Sequence, residues 1–324
     1  MLSFFLLRAW QAVLVMLLMS MLVFVGVYAI GNPIDILINP QADQALREAT
    51  IVRYGLDKPL WEQYLYFLGN ALKGDFGVSF IYNVSALGLI LSYLPATLEL
   101  AIVAMVMTIL IGVPLGMYAG YRPDSGFSKL IMSGSVLAFS VPGFWMGLML
   151  ILVFSVELGW FSSGGRGETV TILGTEWSVF TLDGWYHLLL PALNLALFRL
   201  ALIVRLTRAG VREAILSDYV KFARAKGVPP MRILIRHVMR NIMIPLTTVL
   251  GMEFGAMVAF SVVTETIFSW PGAGKLVIDS IRTLDQPVVV SYLLLVAAMF
   301  VVINFVVDLM YSVLDPRIRL GGRR

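Results

Sequence analysis

Few residues of this 324-residue chain could carry out chemistry, and those few lack the neighbours that chemistry needs. Residues 270–275 read Trp-Pro-Gly-Ala-Gly-Lys, which is similar to the end of a phosphate-binding loop. That loop needs a glycine where Ser269 stands, and a Ser or Thr for magnesium where Leu276 stands. His187 and His237 lie in neither a Ser–His nor a His-x-x-x-His arrangement. The sequence therefore predicts that the chain is not an enzyme and holds no metal or cofactor of its own.

Glu253 suggests a different kind of chemistry, because it follows a dozen uncharged residues in an apolar segment. A charge inside a membrane is costly and marks pathways for ions or substrates. Two interpretations remain open: Glu253 lines a translocation path together with Gly251 and Gly255, or it pairs with an arginine or a neighbouring chain. The other charges near apolar segments are expected to reach a membrane surface without a special role: Glu99, Arg199, Arg205 and Asp308.

Residues 218–227, Asp-Tyr-Val-Lys-Phe-Ala-Arg-Ala-Lys-Gly, are predicted to form a short helix between two apolar segments. Asp218 suits the N-cap, Gly227 suits the left-handed position after the helix, and Pro229 and Pro230 stop the helix. Either the helix docks on another protein, or it is a solvated helix whose charges set the membrane orientation. The candidate docking residues are Tyr219, Phe222, Ala223, Arg224, Ala225, Lys226 and Gly227.

The elements that position these residues follow from composition. The chain is 59% hydrophobic and 14% charged, whereas a soluble domain is about a quarter charged. Its apolar runs reach the ~20 residues that a helix needs to cross a bilayer. Six spans are predicted: Ala9–Ile30, Leu100–Tyr121, Leu130–Val156, Gly184–Leu206, Asn241–Ile267 and Gln286–Val307. The first run is too long for a signal peptide. The predicted fold class is therefore an all-α polytopic membrane protein.

Charge predicts the orientation of these spans. With six spans, both termini lie on one side of the membrane, and 17 of the 24 Lys and Arg residues fall on that side or just inside it. The positive-inside rule makes that side, which includes residues 218–227, cytoplasmic. The formal charge of +4 is thus mostly a topology signal, and no basic patch indicates nucleic acid. The absence of cysteine excludes disulfides and thiolate metal sites within the chain.

The spans divide the chain into four predicted regions. Residues 1–30 form the N-terminal end and the first span, and residues 31–95 form an extracytoplasmic segment with short amphipathic helices. Residues 96–313 form the transmembrane core with a cytoplasmic loop at 207–240, and residues 314–324 form a cytoplasmic tail. The extracytoplasmic loop 157–183 is expected to hold a short hairpin.

Glycines at four-residue spacing predict close helix packing, and prolines predict bends. The glycine sets are 112, 116 and 120, then 143 and 147, then 251 and 255. Pro114, Pro142 and Pro245 are expected to bend or interrupt their helices.

The segment Tyr219-Val-Lys-Phe-Ala-Arg-Ala-Lys-Gly227, followed by Arg236-His-Val-Met-Arg-Asn-Ile-Met-Ile-Pro245, resembles the cytoplasmic signature of ABC importer permeases. Pro245 follows Gly227 by 18 residues, which is similar to the longer form found in the peptide and nickel branch. Further motifs agree: Gly55-Leu-Asp-Lys-Pro59, Lys73-Gly-Asp-Phe-Gly77, Pro95-Ala-Thr-Leu-Glu99, Thr264-Glu-Thr-Ile-Phe-Ser-Trp-Pro-Gly272 and Asp315-Pro-Arg317. Nearly the whole chain thus resembles the B-type permease subunit of dipeptide and oligopeptide importers.

This resemblance implies a type I importer permease in a bacterial inner membrane, which forms the path for short peptides. Its partners would be a sister permease, two ATPase subunits that bind ATP and magnesium, and an extracytoplasmic solute-binding protein. The helix at 218–227 would be a coupling helix in a groove of an ATPase, with Phe222 as anchor and with small Ala223 and Gly227 allowing close approach. The binding protein would meet residues 31–95 and the loop 264–274, including Trp270, Pro271 and Gly272.

Two departures from the family pattern leave the substrate open. The chain reads Ile30-Gly-Asn-Pro-Ile-Asp35 where the family often has Pro-Gly-Asp-Pro, and Glu253 stands where relatives often carry Gln. The same scaffold could import nickel, glutathione or another small solute. A stand-alone secondary transporter is the alternative from a different class, and it would be driven by an ion gradient instead of ATP.

Overall fold

The computed structural model describes residues 2–30 and 58–314. Several predictions concern residues outside this part of the chain: the segment 31–57, the side chain of Asp308 and the motif at 315–317. The helices are α1 (Leu2–Ile30), α2 (Leu60–Ala71), α3 (Ala86–Tyr121), α4 (Gly126–Ser140), α5 (Gly143–Glu157), α6 (Leu182–Ile215), α7 (Asp218–Ala225), α8 (Pro230–Ile267), α9 (Ala273–Arg282) and α10 (Gln286–Leu314). The strands are β1 (Val170–Ile172) and β2 (Thr175–Trp177).

Among the described helices, five are long and apolar enough to cross a membrane, namely α1, α3, α6, α8 and α10. The pair α4 and α5 passes the same test together, with a bend of 108° between the two helices. Counting this pair as one span gives the six that the sequence predicts. The predicted all-α polytopic fold class is confirmed.

The third predicted span, Leu130–Val156, contains Pro142, at which the sequence predicts a bend or an interruption. The helix breaks between Ser140 and Gly143. Pro142 has no N–H and disfavours helical backbone at the preceding residue, and Val141 is accordingly extended, with φ −89° and ψ 131°. The predicted interruption at Pro142 is confirmed.

Two of the predicted segments contain more helix than the sequence indicates. Helix α3 begins at Ala86, so Pro95 lies inside a helix and does not precede one. The run from Ala86 to Leu94 is uncharged, and its preceding Ser85 accepts a hydrogen bond from the Gly88 N–H at 3.4 Å. The predicted loop 207–240 is largely helical, because α6 runs on to Ile215 and α8 starts at Pro230.

Pro114 and Pro245, unlike Pro142, do not break the helices in which they lie. A π-helical segment, Thr108–Gly112, precedes Pro114 within α3, which is a common way to absorb a missing backbone donor. Helix α8 continues through Pro245 and carries its own π-helical segment, Ile233–Val238, nearer its start. Membrane helices tolerate proline because neighbouring groups can satisfy the freed carbonyls.

The chain divides into two compact units, one of Met1–Pro95 and Gly272–Val302 and the other of Ala96–Pro271 and Ile303–Arg324. In the first unit, the hydroxyls of Ser20 and Tyr64 lie 2.9 Å apart and join α1 to α2. Helix α2 is one of the short helices predicted within residues 31–95. The buried carboxylate of Asp285 accepts hydrogen bonds from the Ser79 hydroxyl and, at 3.1 Å, from the Phe80 N–H.

In the second unit, α3 lies against α6 through its predicted glycine face. A Cβ added to Gly116 would lie 2.6 Å from Cβ of Thr207, and one added to Gly120 would lie 2.7 Å from Cβ of Val211. A Cβ added to Gly112 would lie 3.2 Å from Cγ2 of Ile203, which is a tight contact without the overlap at Gly116 and Gly120. The close packing predicted from the spacing is therefore confirmed for these three glycines, and it places α3 backbone directly on α6.

Replacing Gly116 by valine is expected to destabilise the protein by about 1–3 kcal/mol, because the added side chain overlaps Thr207 and the Val204 carbonyl. Gly134→Val is the matched control, since a Cβ at Gly134 of α4 meets nothing within 4 Å. Thermal unfolding of the two purified variants measures the difference. Equal losses would show that backbone approach at Gly116 contributes nothing.

Candidate functional site

The helix predicted to dock is α7, and its ends are built from local sequence. Ser217, not Asp218, occupies the N-cap position, with extended backbone at φ −69° and ψ 153°. Asp218 belongs to the first turn, where its carboxylate lies 2.9 Å from Nζ of Lys221. The N-cap prediction is therefore wrong by one residue, since the helix begins at Asp218 itself. The Ser217 hydroxyl donates to the Ala214 carbonyl and makes no capping hydrogen bond.

The C-terminal end follows the prediction. Gly227 adopts φ +75°, its N–H donates to the Arg224 carbonyl at 2.9 Å, and the Val228 N–H donates to the Ala223 carbonyl at 3.1 Å. This pair of bonds is the Schellman motif, in which glycine is favoured because the left-handed conformation strains other residues. A Cβ on Gly227 would meet nothing within 4 Å, so its backbone conformation is what requires glycine.

One face of α7 is packed inward on a cluster of apolar side chains, called here the α7 cluster. Val220 is fully buried and Ala223 nearly so. The buried members of the α7 cluster are Val211, Ala214, Val220, Ala223, Ile233, Leu234, Val238 and Ile242. Ala223 therefore packs against its own chain, and the expectation that it allows a partner to approach is wrong. The α7 cluster joins the end of α6 and the start of α8 to one short helix.

The other face of α7 is exposed and carries most of the predicted docking residues. The Phe222 side chain is 63% exposed, and Nζ of Lys226 lies 4.5 Å from the centre of its ring. Tyr219, Arg224, Ala225 and Gly227 are exposed as well. Aromatic residues and arginine are enriched at protein interfaces relative to the rest of a protein surface.

Glu253 lies in α8 beside Arg199 of α6, with Arg199 Nε 2.6 Å from Glu253 Oε2. Of the two open interpretations, pairing with an arginine is thus present within this chain. The expectation that Arg199 extends toward a membrane surface is wrong, because the guanidinium is held at Glu253 near the middle of its helix. The two side chains are 12% and 21% exposed, respectively, so the pair is neither fully buried nor freely solvated.

The glycines that flank Glu253 contribute to packing. A Cβ on Gly251 would overlap the side chain of Val307 in α10, and Gly255 is buried. Gly251 therefore brings α8 against α10, which corrects its predicted place beside Glu253 on a path, whereas that role for Gly255 stays a prediction. In α5 the predicted close packing is present at Gly147, where a Cβ would lie 3.4 Å from the Asn194 side chain, and it is absent at Gly143, where a Cβ would meet nothing within 4 Å.

The residues predicted to receive a binding protein differ in exposure. Trp270 is completely buried, and its Nε1–H donates to the Ala96 carbonyl at 2.9 Å. Gly272 is buried and Pro271 is exposed. The indole of Trp270 therefore contributes to packing within its own unit, which corrects its predicted place on a surface. Of the three residues, only Pro271 is exposed.

Two buried glutamates were missed by the sequence reasoning. Glu99, expected at a membrane surface, is 1% exposed, and its Oε2 accepts from Nη2 of Arg166 at 2.8 Å. Its Oε1 accepts from the N–H groups of Ser178 and Val179, each at 2.7 Å. This arrangement, the Glu99 network, anchors the hairpin β1–β2 to α3. The hairpin itself was predicted, and its two-residue turn has positive φ at Leu173 and Gly174.

Glu265 of α8 is the second buried glutamate and has no exposed surface. It accepts hydrogen bonds from Thr97 of α3 at 2.7 Å and from Ser261 at 2.8 Å. Both missed glutamates belong to motifs that the sequence had singled out, and Arg166 is the sole basic residue between 157 and 183. These features indicate that the two glutamates have buried partners. The partners lie too far away in the sequence for a spacing pattern to identify them.

Among the described residues, no three His, Asp or Glu side chains are grouped so that they could hold a metal ion. The geometry described so far is that of a helical, multi-pass membrane protein with an exposed short helix between two spans. Residues 112–320 match the family described as binding-protein-dependent transport system inner membrane component, and residues 1–101 match the N-terminal region of the same system. The chain belongs to this family, and it is a transport component of the inner membrane rather than an enzyme.

Similar proteins agree over almost the full length. The chain is 40% identical to the di/tripeptide transport system permease protein DppB of Pseudomonas aeruginosa, over 89% of this chain and 90% of that protein. It is 38% identical to the oligopeptide transport system permease protein AppB of Bacillus subtilis, over 96% and 97%. A structure of the MetNI methionine ABC transporter in inward-facing conformations matches with a TM-score of 0.53 at 16% identity, over 70% of this chain and 96% of that chain. At this identity the structural match concerns the fold alone, which is that of an ABC importer permease.

Proposed function

We propose that this chain is a permease subunit of an ATP-driven importer that carries dipeptides or short oligopeptides across the inner membrane. The exposed aromatic and basic face of α7 is the observation that carries this proposal, because it offers a rigid docking surface between two spans. Peptide permeases at 38–40% identity support the substrate class. The partners are two ATPase subunits that bind ATP and magnesium, a sister permease and a solute-binding protein.

The coupling step follows from how α7 is mounted. When ATP closes the two ATPases on each other, each would push the coupling helix seated in its groove. Helix α7 transmits such a push because Val220 and Ala223 pack on Val211 and Ala214 near the end of α6. Helix α6 also carries Arg199, so a displacement at α7 reaches the middle of the span. ATP and the loaded binding protein would thus bias two discrete states of the path.

In the orientation that we propose for the spans, α7 lies in the cytoplasm. Support comes from the distribution of Lys and Arg, of which 17 of 24 fall on the side of α7 under a six-span topology. Both termini then lie in the cytoplasm as well. Pro271 and the hairpin loop face outward in this topology, and they form the proposed surface for the binding protein.

Uptake into proteoliposomes tests this function directly. The chain is co-purified with its ATPases and sister permease, reconstituted, and supplied with the binding protein and radiolabelled dialanine. We expect uptake that requires both ATP and the binding protein and that a protonophore leaves unchanged. Uptake by this chain alone, driven by an ion gradient, would overturn the proposal in favour of a secondary transporter. If the complex took up glutathione or nickel but not dialanine, the chain would still be an importer subunit, but the proposed peptide substrate would be wrong.

A further inference from the structure

The ion pair between Arg199 and Glu253 lies at one end of a larger arrangement. The Arg199 guanidinium lies 5.2 Å from the centre of the Phe198 ring. Phe198 stacks on Phe139 with ring centres 4.7 Å apart and 21° between the planes. The Arg205 guanidinium lies 4.7 Å from the centre of the Phe139 ring on α4. These five residues form a continuous row of charges and aromatic rings, called here the cation–aromatic row.

The cation–aromatic row is partly exposed in this chain. Phe139 and Phe198 are exposed, and Arg199, Arg205 and Glu253 are intermediate. Arg199 is residue 18 of the 34 in α6, so the pair lies near the middle of a membrane-crossing helix. Charged side chains at that depth do not face lipid; they face protein or a water-filled cavity. The exposed side of the row must therefore face either the path or another subunit.

We propose that the Arg199–Glu253 pair is a subsite of the path that binds the two charged ends of a peptide, an assignment that rests on the proposed function. Arg199 takes the terminal carboxylate, since a planar guanidinium binds a carboxylate through two parallel hydrogen bonds. Glu253 takes the terminal ammonium. When the peptide binds, Arg199 exchanges the Glu253 carboxylate for that of the peptide, and Glu253 exchanges the Arg199 guanidinium for the peptide ammonium. Neither side chain is left without an opposite charge.

The rest of the row extends the subsite along α6. Arg205 lies six residues after Arg199, which is about 9 Å along a helix. A dipeptide spans at most about 7 Å, so a peptide that moves this distance passes its carboxylate from Arg199 to Arg205. The stacked rings of Phe139 and Phe198 lie between the two guanidinium groups and offer an apolar surface to peptide side chains. The direction of this movement is toward α7.

The test uses the reconstituted complex with binding protein, ATP and labelled dialanine. Single neutral variants would leave one charge unpaired in the membrane and could fail to assemble. Two paired variants avoid this: Arg199→Gln with Glu253→Gln, and the exchange Arg199→Glu with Glu253→Arg. With the amount of assembled complex matched, we expect both to lower the rate of uptake by about tenfold or more, because the termini lose charged hydrogen-bond partners or meet them in the wrong order. The control is Met252→Ala, at the exposed residue next to Glu253. The complex with this variant is expected to take up dialanine at the rate of the unchanged complex.

The outcomes separate the two levels of this inference. Uptake restored by the exchange variant would make the pair a structural link between α6 and α8, and would overturn the subsite. Unchanged uptake by the double Gln variant would overturn it as well. If the paired variants fail to assemble with the sister permease, the row faces that subunit, which also overturns the subsite. If the unchanged complex shows no ATP-dependent dialanine uptake, the proposed function fails instead.

Discussion

Replacing Phe222 by alanine is expected to weaken binding of the ATPase subunit by roughly 30-fold, because a central exposed aromatic at a protein interface contributes about 2 kcal/mol. ATP-driven uptake should fall with it. The side chain is 63% exposed and lies on the face of α7 opposite the buried Val220. Its removal therefore leaves the α7 cluster unchanged, and the loss falls on the partner contact rather than on the fold. Recovery of the ATPase with affinity-purified permease, at increasing detergent wash volumes, measures the effect.

The chain supplies a closely matched control for this experiment. Phe180, just before α6, is 64% exposed, so Phe180→Ala removes the same side chain from a surface of the same accessibility. In the proposed topology Phe180 lies on the opposite side of the membrane from α7, and the variant should retain its ATPase. Equal retention by both variants would remove Phe222 from the docking surface. Equal loss by both would instead indicate a general effect of the substitution on the complex.

Short-range features of this molecule could be predicted from the sequence, because they depend on neighbouring residues. Helix α7 ends at Ala225 and is followed by the left-handed Gly227 and by two prolines, and each of these signals acts over one or two residues. The interruption at Pro142 and the glycine face of α3 are of the same kind. What the sequence leaves undetermined is which face of α7 packs inward. Val220 and Ala223 are buried only because α6 and α8 bring the remainder of the α7 cluster to them.

Charged residues near the spans were harder to predict, because their surroundings come from distant segments. Glu99 and Arg166 are 67 residues apart, and Thr97 and Glu265 are 168 residues apart. No periodic pattern relates such positions, so an intramembrane glutamate near a span end looks exposed until its partners are known. Arg199 and Glu253 gave the same difficulty. For each of these groups the sequence identified an unusual charge, and the fold supplied the reason for it.

Replacing Glu99 by glutamine is expected to be among the most destabilising single changes in the chain, by about 3–5 kcal/mol. The substitution keeps the size of the side chain and one oxygen that can accept from Ser178 N–H. It removes the charge that compensates Arg166, whose Nη2 lies 2.8 Å from the carboxylate and also donates to the Glu176 carbonyl at 2.6 Å. An uncompensated guanidinium beside the buried Trp270 must then be solvated, and this requires the hairpin β1–β2 to leave α3.

This expectation is tested by thermal unfolding of purified complexes that carry either Glu99→Gln or the control change Glu168→Gln. Glu168 is an exposed glutamate in the hairpin loop, so its variant removes an identical charge without removing a partner of Arg166, and it should stay within about 0.5 kcal/mol of the unchanged protein. If Glu99→Gln unfolds at the same temperature as Glu168→Gln, the Glu99 network contributes no net stability and its desolvation cost cancels its attraction. A large difference, with faster proteolysis between residues 158 and 181 in the Glu99 variant, would establish the buried pair as the anchor of the hairpin. The same buried pair would then hold in place the surface that we propose for the binding protein, since β1 and β2 depend on Glu99 for their attachment to α3.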